Sequence, residues 1–225
     1  MEYMKDCKDN QFDLAIVDPP YGINADVKNS DENKKCIKSA TNSKNYGSQR
    51  WDNKIPDENY FTELKRISSK QIIWGANYYG LIGGMLYWHK NVTMPTYSTG
   101  ELAYLSWLNK IDFINLTWHG MIQENMKEKE IRIHPTQKPV ALYKWLLQKY
   151  AKKGYKILDT HLGGGSIAIA CYDFGYDLIG CELDKEYYDA AVKRLETHKK
   201  QLTLFKHRTT ATIGKPCGTL LRNVR

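Results

Sequence analysis

The run Phe12-Asp13-Leu14-Ala15-Ile16-Val17-Asp18-Pro19-Pro20-Tyr21 decides how the rest of the chain is read. Four successive apolar residues, Leu14 to Val17, form the pattern of a strand buried on both faces, as in a parallel sheet covered by helices. Pro19 and Pro20 cannot donate ladder hydrogen bonds, so the strand ends there and the chain must leave the sheet. Asp18 and Tyr21 are thereby delivered to the carboxyl end of a buried strand, where open α/β sheets place their ligand crevice. A proline pair after a strand is also an ordinary stiff turn, so the meaning of this stretch depends on what else the chain carries.

Working outward, the same kind of strand recurs between helical segments. Asp57 is placed to cap a helix whose Tyr60, Phe61, Leu64 and Ile67 share one face, and Gln71-Ile72-Ile73-Trp74 follows as a second buried strand. Tyr155 to Asp159 is a third, followed by Thr160-His161-Leu162-Gly163-Gly164-Gly165-Ser166 and an apolar helix from Ile167 to Phe174. Leu178 to Glu182 is a fourth. Asp184 then caps a helix with Tyr188, Ala191, Val192 and Leu195 inward and Lys193, Arg194, Lys199 and Lys200 on a solvated face. Strand and helix in alternation predict a doubly wound, mostly parallel sheet. Met85 to Trp88, Glu101 to Trp107 and Phe113 to Trp118 add aromatic-rich strand-like runs, and 89–132, the least regular region, is where specificity elements are expected.

Three glycines between strand and helix allow a ligand close to the backbone and present helix-terminal N–H groups to an anion. Gly163-x-Gly165-x-x-Ala168 fits a dinucleotide fingerprint, and Glu182 stands about 20 residues on, where ribose hydroxyls are bound. His134-Pro135-Thr136-Gln137-Lys138-Pro139 precedes a helix from Val140 to Tyr150, and by itself reads as helix entry.

At 225 residues with 42% hydrophobic side chains, the chain suits one domain, 1–205, with a tail over 206–225 that carries five cations and no acid. No apolar run approaches the roughly 20 residues of a membrane span and no signal-peptide layout opens the chain, so a soluble, cytoplasmic protein is expected. Five scattered cysteines without a Cys-x-x-Cys suggest neither a disulfide framework nor a zinc site. The net charge of +8 suits a polyanionic partner. The segment 24–50, with Lys34, Lys35 and Lys38 among its cations, is too polar to pack: it reads as a phosphate-gripping arm, a lid or a solvated insertion, the first two ordering only with ligand.

Asp18-Pro19-Pro20-Tyr21, the hexamer from His134 to Pro139, and Asp159-x-x-x-Gly163-x-Gly165-Ser166, in that order, resemble the amino-group DNA methyltransferases that use S-adenosylmethionine. The order, catalytic motif before cofactor motif, is similar to the β-type, circularly permuted group, particularly small phage and bacterial enzymes. Ile73-Trp74-Gly75-Ala76-Asn77 and Gly100-Glu101-Leu102-Ala103 share in the resemblance, which runs from about Phe12 to Leu204. Thr160-His161 departs from the Pro-Phe usual in that family, and the stretch before Phe12 is short.

The resemblance implies a Rossmann-like, permuted α/β fold with a seven-stranded sheet and a small irregular target-recognition insertion. It implies S-adenosylmethionine as cofactor, with Asp159, Gly163 and Gly165 at the methionine end beside Ser166, Glu182 on the ribose hydroxyls, and Thr136 and Lys138 near the methionine carboxylate. Double-stranded DNA is the implied substrate, and a second copy of the chain and a cognate restriction nuclease are candidate partners. An exocyclic amine is a poor nucleophile because its lone pair is delocalised into the ring. Asp18 and the carbonyl of Pro19 are acceptors suited to holding both N–H hydrogens, with Pro20 stiffening the turn and Tyr21 stacking on a flipped-out base. Asp rather than Ser at position 18 points to N6 of adenine over N4 of cytosine. Two other readings remain open at this level: a dinucleotide-dependent oxidoreductase, which leaves Asp18 to Tyr21 unexplained, and a non-catalytic DNA-binding homologue.

Overall fold

The computed structural model describes residues 1–24, 52–95, 97–119, 121–206 and 218–224, with 202–206 as backbone. The basic segment expected to grip phosphate, with Lys34, Lys35 and Lys38, therefore lies outside the described residues apart from Asn24. A short helix α1 (Glu2–Lys5) precedes β1 (Leu14–Val17), whose four residues are all buried. Then come α2 (Glu58–Ile67), β2 (Gln71–Trp74), β3 (Gly84–His89), β4 (Gly100–Leu105) and β5 (Ile111–Asn115). A small two-stranded ribbon, β6 (Trp118–His119) and β7 (Ile122–Gln123), leads to α3 (Val140–Tyr150), β8 (Lys156–Asp159), α4 (Ser166–Phe174), β9 (Asp177–Glu182), α5 (Lys185–Lys206) and β10 (Thr219–Asn223). The predicted caps form: Asp57 accepts from the Tyr60 N–H at 2.9 Å, and Asp184 accepts from Glu186 and Tyr187 at 2.8 and 3.1 Å.

The main sheet runs β10-β9-β8-β1-β2-β4-β3-β5. Only β4 opposes its neighbours, pairing antiparallel with both β2 and β3. Period-two alternation divides the apolar strands between two helical layers. Leu14 and Ile16 join Ile72, Trp74 and Ile157 in a core shared with α3, α4 and α5, while Ala15, Val17, Ile73 and Leu158 face a second core with α1 and α2. A four-residue apolar run thus satisfies both layers at once, the signature of a strand covered on both faces. The strands after β8 extend the sheet in one direction and β1 and β2 in the other, so the crevice lies between β8 and β1, which pair through Leu14 with Ile157 and Ala15 with Leu158.

Four expectations are corrected. The sheet has eight strands and not seven, with β5 at one edge. Residues 219–223, read as part of a basic tail, are the opposite edge strand, pairing in parallel with β9 over five residues. The irregular region is smaller than 89–132, because β4 and β5 belong to the main sheet. Arg194, assigned to a solvated face, is drawn inward, its side chain 14% exposed, because its stem reaches a carboxylate and a carbonyl beneath the helix. Among the described residues no helix is long and apolar enough to cross a membrane.

Candidate active site

Asp18 follows β1 directly and stands over the crevice. Its Oδ1 accepts from the Tyr21 hydroxyl at 2.6 Å and its Oδ2 from Lys138 Nζ at 2.5 Å. Burial pushes the Asp18 carboxyl up, the Lys138 ammonium pulls it down and the charge of Glu101 raises it again. The turn that carries it is fixed from outside: Asp52 Oδ1 accepts from the N–H groups of Tyr21 and Gly22 at 2.7 and 2.9 Å. The Tyr79 hydroxyl lies 2.6 Å from the Pro19 carbonyl and 3.0 Å from that of Pro20. Tyr21 stacks on Tyr78 with ring centroids 4.8 Å apart. Gly75 makes room for it: a Cβ there would stand 2.4 Å from the Tyr21 ring, and its φ of +77° is one that other residues rarely adopt.

Asp18 and Pro20 share the wall of a 630 Å³ cavity with Thr136, Lys138, Gly163, Ser166 and Glu182. Sequence positions more than 160 residues apart are thus brought to one space by the switch in strand order. Glu182 ends β9, and its Oε2 accepts from the Gly163 N–H at 2.7 Å while Oε1 accepts from Leu183 and Asp184 at 2.9 and 3.0 Å. The glycine loop is therefore tied to the acidic residue at the end of the next strand. Thr136 Oγ1 lies 3.2 Å from Nδ1 of His134, whose ring burial holds at about 4 and hence neutral near pH 7. His161 is half-buried and likewise held neutral near pH 7, 2.9 Å from Thr160 Oγ1.

Three candidate cofactor residues are also engaged by the fold itself. Lys138, implied near a methionine carboxylate, is buried in ion pairs with Asp18 and Glu101, because two carboxylates outweigh the burial that would neutralise it. Asp159 is outside the cavity wall, 1% exposed, with its Oδ1 accepting from the His161 N–H at 2.9 Å. Gly165 is also outside it: with φ +68° it caps α4, and a Cβ there would come within 2.9 Å of Ala191 Cβ on α5. Helix packing is by itself enough to require a glycine here.

Sequence reading missed the residues that brace the site. Arg194 donates to the Gly164 carbonyl at 2.6 Å, to Ser166 Oγ at 2.9 Å and to Glu130 at 2.6 Å, while Glu130 accepts from the Val140 N–H at 2.8 Å. One guanidinium thus joins the glycine loop to the start of α3. Glu101, in an otherwise apolar strand, was a visible signal, since a carboxylate in such a position needs a partner.

Residues 82–193 match the family model N6_N4_Mtase, described as DNA methylase. The chain is 25% identical over 228 aligned residues to the type II methyltransferase M.HpaI of Haemophilus parainfluenzae, covering 86% of this chain and 71% of that protein. It is 35% identical over 83 residues to the type II methyltransferase M2.DpnII of Streptococcus pneumoniae, a match over 37% of this chain and 31% of the relative. Among solved structures, PvuII DNA methyltransferase, cytosine-N4-specific, aligns with a TM-score of 0.55 at 9% identity, over 91% of this chain and 88% of that one. The complex of M1.HpyAVI with SAM aligns with a TM-score of 0.50 at 21% identity, over 86% and 91%. At these identities the structural likeness speaks for the fold.

Proposed function

We infer the activity from a premise that the family match supplies: the chain belongs to the amino-group DNA methyltransferases, whose products are N6-methyladenine or N4-methylcytosine. The proposed reaction is transfer of the methyl group of S-adenosylmethionine to N6 of an adenine flipped out of duplex DNA. The observation that carries this reading is that one cavity wall holds Asp18 and Pro20 together with Gly163 and Glu182. Its volume lies within the roughly 300–1,000 Å³ of small-molecule sites. The donor set fits the cofactor: Glu182 offers acceptor oxygens for ribose hydroxyls, and Leu162, Ile55 and Pro56 add apolar wall for a nucleobase. The cofactor, when bound, supplies an electrophilic methyl group on a sulfonium.

The chain's own residues do the rest. Asp18 accepts one N–H of the target amine, and a carboxylate with about four lone-pair sites can do so while Tyr21 and Lys138 hold it. The Pro19 carbonyl takes the second N–H, beside or in place of the Tyr79 hydroxyl. Together they favour a pyramidal nitrogen and stabilise the positive charge that develops on it. The proton released leaves through Asp18. Tyr21 offers its ring as a stacking surface. Asp rather than Ser at position 18 supports adenine over cytosine, as the motif resemblance implies.

The test is incorporation of labelled methyl from S-adenosylmethionine into DNA of a methylation-deficient host, followed by nucleoside analysis. N6-methyladenine is expected. N4-methylcytosine overturns the adenine assignment, and binding of NAD without binding of S-adenosylhomocysteine overturns the reaction class. Asp18→Ala should lower turnover by at least about a hundredfold, the lower end of general acid–base contributions, with S-adenosylhomocysteine binding retained.

A further inference from the structure

We propose that Glu101, on β4, is a positioning residue for Asp18: it shares the Lys138 ammonium that would otherwise rest on the Asp18 carboxylate alone. The inference rests on the reading of Asp18 as the acceptor of the target amine. Four groups of alternating sign stand in line, Lys90, Glu101, Lys138 and Asp18, with side chains 16%, 21%, 4% and 15% exposed. Lys90 pairs with Glu101 Oε1, and Lys138 stands 3.0 Å from Glu101 Oε2 and 2.5 Å from Asp18 Oδ2. The third Lys138 N–H points to the Tyr21 oxygen at 3.2 Å, so the ammonium has a partner for each hydrogen. Glu101 is not part of the cavity wall; it reaches Asp18 through Lys138 and, more weakly, through the Tyr21 hydroxyl, which lies 3.4 Å from its Oε2.

Two carboxylates facing two ammonium groups leave the line neutral. Without Glu101, the buried Lys138 and the half-buried Lys90 would face one carboxylate, and the whole field of Lys138 would fall on Asp18. That field makes Asp18 a weaker acceptor, because a carboxylate held by an unshared cation gives up less electron density to a new N–H donor. Glu101 itself stays ionised: burial would raise it, but Lys138 and Lys90 hold it at about 2. Glu101 on β4 and Lys90 just after β3 therefore set the basicity of a group at the end of β1, two and three strands away.

The sign of the effect is open to measurement. The negative charge of Glu101 raises the Asp18 pKa, so its removal lowers it. The other titratable groups whose fields couple to Asp18 are the phenols of Tyr21, Tyr79, Tyr60 on α2 and Tyr143 on α3, all pushed well above their usual range by burial, and the Asp159 carboxyl at the end of β8. They are common to wild type and variant, so the difference between the two profiles reports on Glu101.

The experiment is the pH dependence of kcat for methyl incorporation in wild type and Glu101→Gln, with thermal melting and S-adenosylhomocysteine titration on both. Glu101→Gln should melt cooperatively, bind S-adenosylhomocysteine as wild type does, lose kcat by on the order of tenfold as a fraction of an acid–base contribution, and shift the acidic limb to lower pH. A purely structural role moves no limb, so an acidic limb that stays in place or moves upward overturns the proposal. Should Glu101→Gln not fold, Lys90→Gln is the second test: loss of that cation should move the limb upward, and a downward or absent shift overturns the proposal. Asp18→Ala separates the two levels. If it retains activity, the reading of Asp18 fails; if it is inactive while Glu101→Gln leaves the limb unmoved, only this inference fails.

Discussion

Asp159 shows how a residue singled out for ligand contact can be occupied by the fold itself. Burial pushes its carboxyl up to about 8, against an ordinary value near 4. An unfolded chain ionises this group near pH 4 and the folded chain only near pH 8, so the unfolded state holds fewer protons in between. Stability from this group therefore falls as pH rises from about 4 to 8. Asp159→Asn keeps an oxygen acceptor for the His161 N–H and removes the ionisation. Its melting temperature should match wild type near pH 4 and exceed it by at least about 3 °C at pH 8, the response to roughly 1 kcal/mol in a chain of this size. A gain independent of pH would show that ionisation is not the cause. At this scale Asp18, Thr136 and Glu182 were legible because each ends a strand or opens a helix within a recognisable motif. Glu101 stood out in an apolar strand without revealing its partners, and Lys90 and Arg194 did not stand out at all, since their partners lie 11 to 64 residues away on other elements and local pattern carries no distance information.

Among the elements, the strand-loop-helix unit formed by β8 and α4 was legible in kind but not in the duty of each glycine. Gly163 lines the cavity at a φ of +50°, whereas Gly165 serves the contact between α4 and α5. Gly165→Ala places a methyl group 2.9 Å from Ala191 Cβ at a φ of +68°, combining overpacking of about 1–3 kcal/mol with backbone strain of similar order. The variant should melt about 4 °C or more below wild type, at 2–4 °C per kcal/mol. S-adenosylhomocysteine affinity should fall less than the melting temperature suggests, since the cavity wall is untouched. An unchanged melting temperature with lost affinity would return Gly165 to the ligand. α5 taught the same lesson in reverse: helical periodicity put Arg194 outside, and a long stem brought its head back in to hold the Gly164 carbonyl.

For the molecule as a whole, alternation of strand and helix was enough to foresee a doubly wound parallel sheet, because each buried strand is short, apolar and bounded by breakers. The last strand escaped because Thr219-Leu220-Leu221-Arg222-Asn223 is an edge strand whose residues are half-exposed or exposed, following a stretch with little periodicity. Its position gives it a consequence for the cavity. The Asn223 side chain donates to the carbonyls of Glu182 and Leu183 at 3.0 and 3.2 Å, the Val224 N–H donates to the Glu182 carbonyl at 3.0 Å, and Val224 lines the cavity. Arg222, the one cation among the described residues from 218 onward, lies 4.9 Å from the Tyr3 ring centroid and covers the opposite end of the chain. Removal of 218–225 should therefore lower the melting temperature and weaken S-adenosylhomocysteine binding together, because the backbone that presents Glu182 loses its outer support. DNA binding measured against salt should change its log–log slope by no more than about 2, the contribution of two phosphate contacts, since the deleted segment contains only Arg222 and Arg225 as cations. If the truncated chain keeps its melting temperature and its affinity for S-adenosylhomocysteine while the salt slope flattens, the segment is a nucleic-acid arm and the strand pairing is incidental.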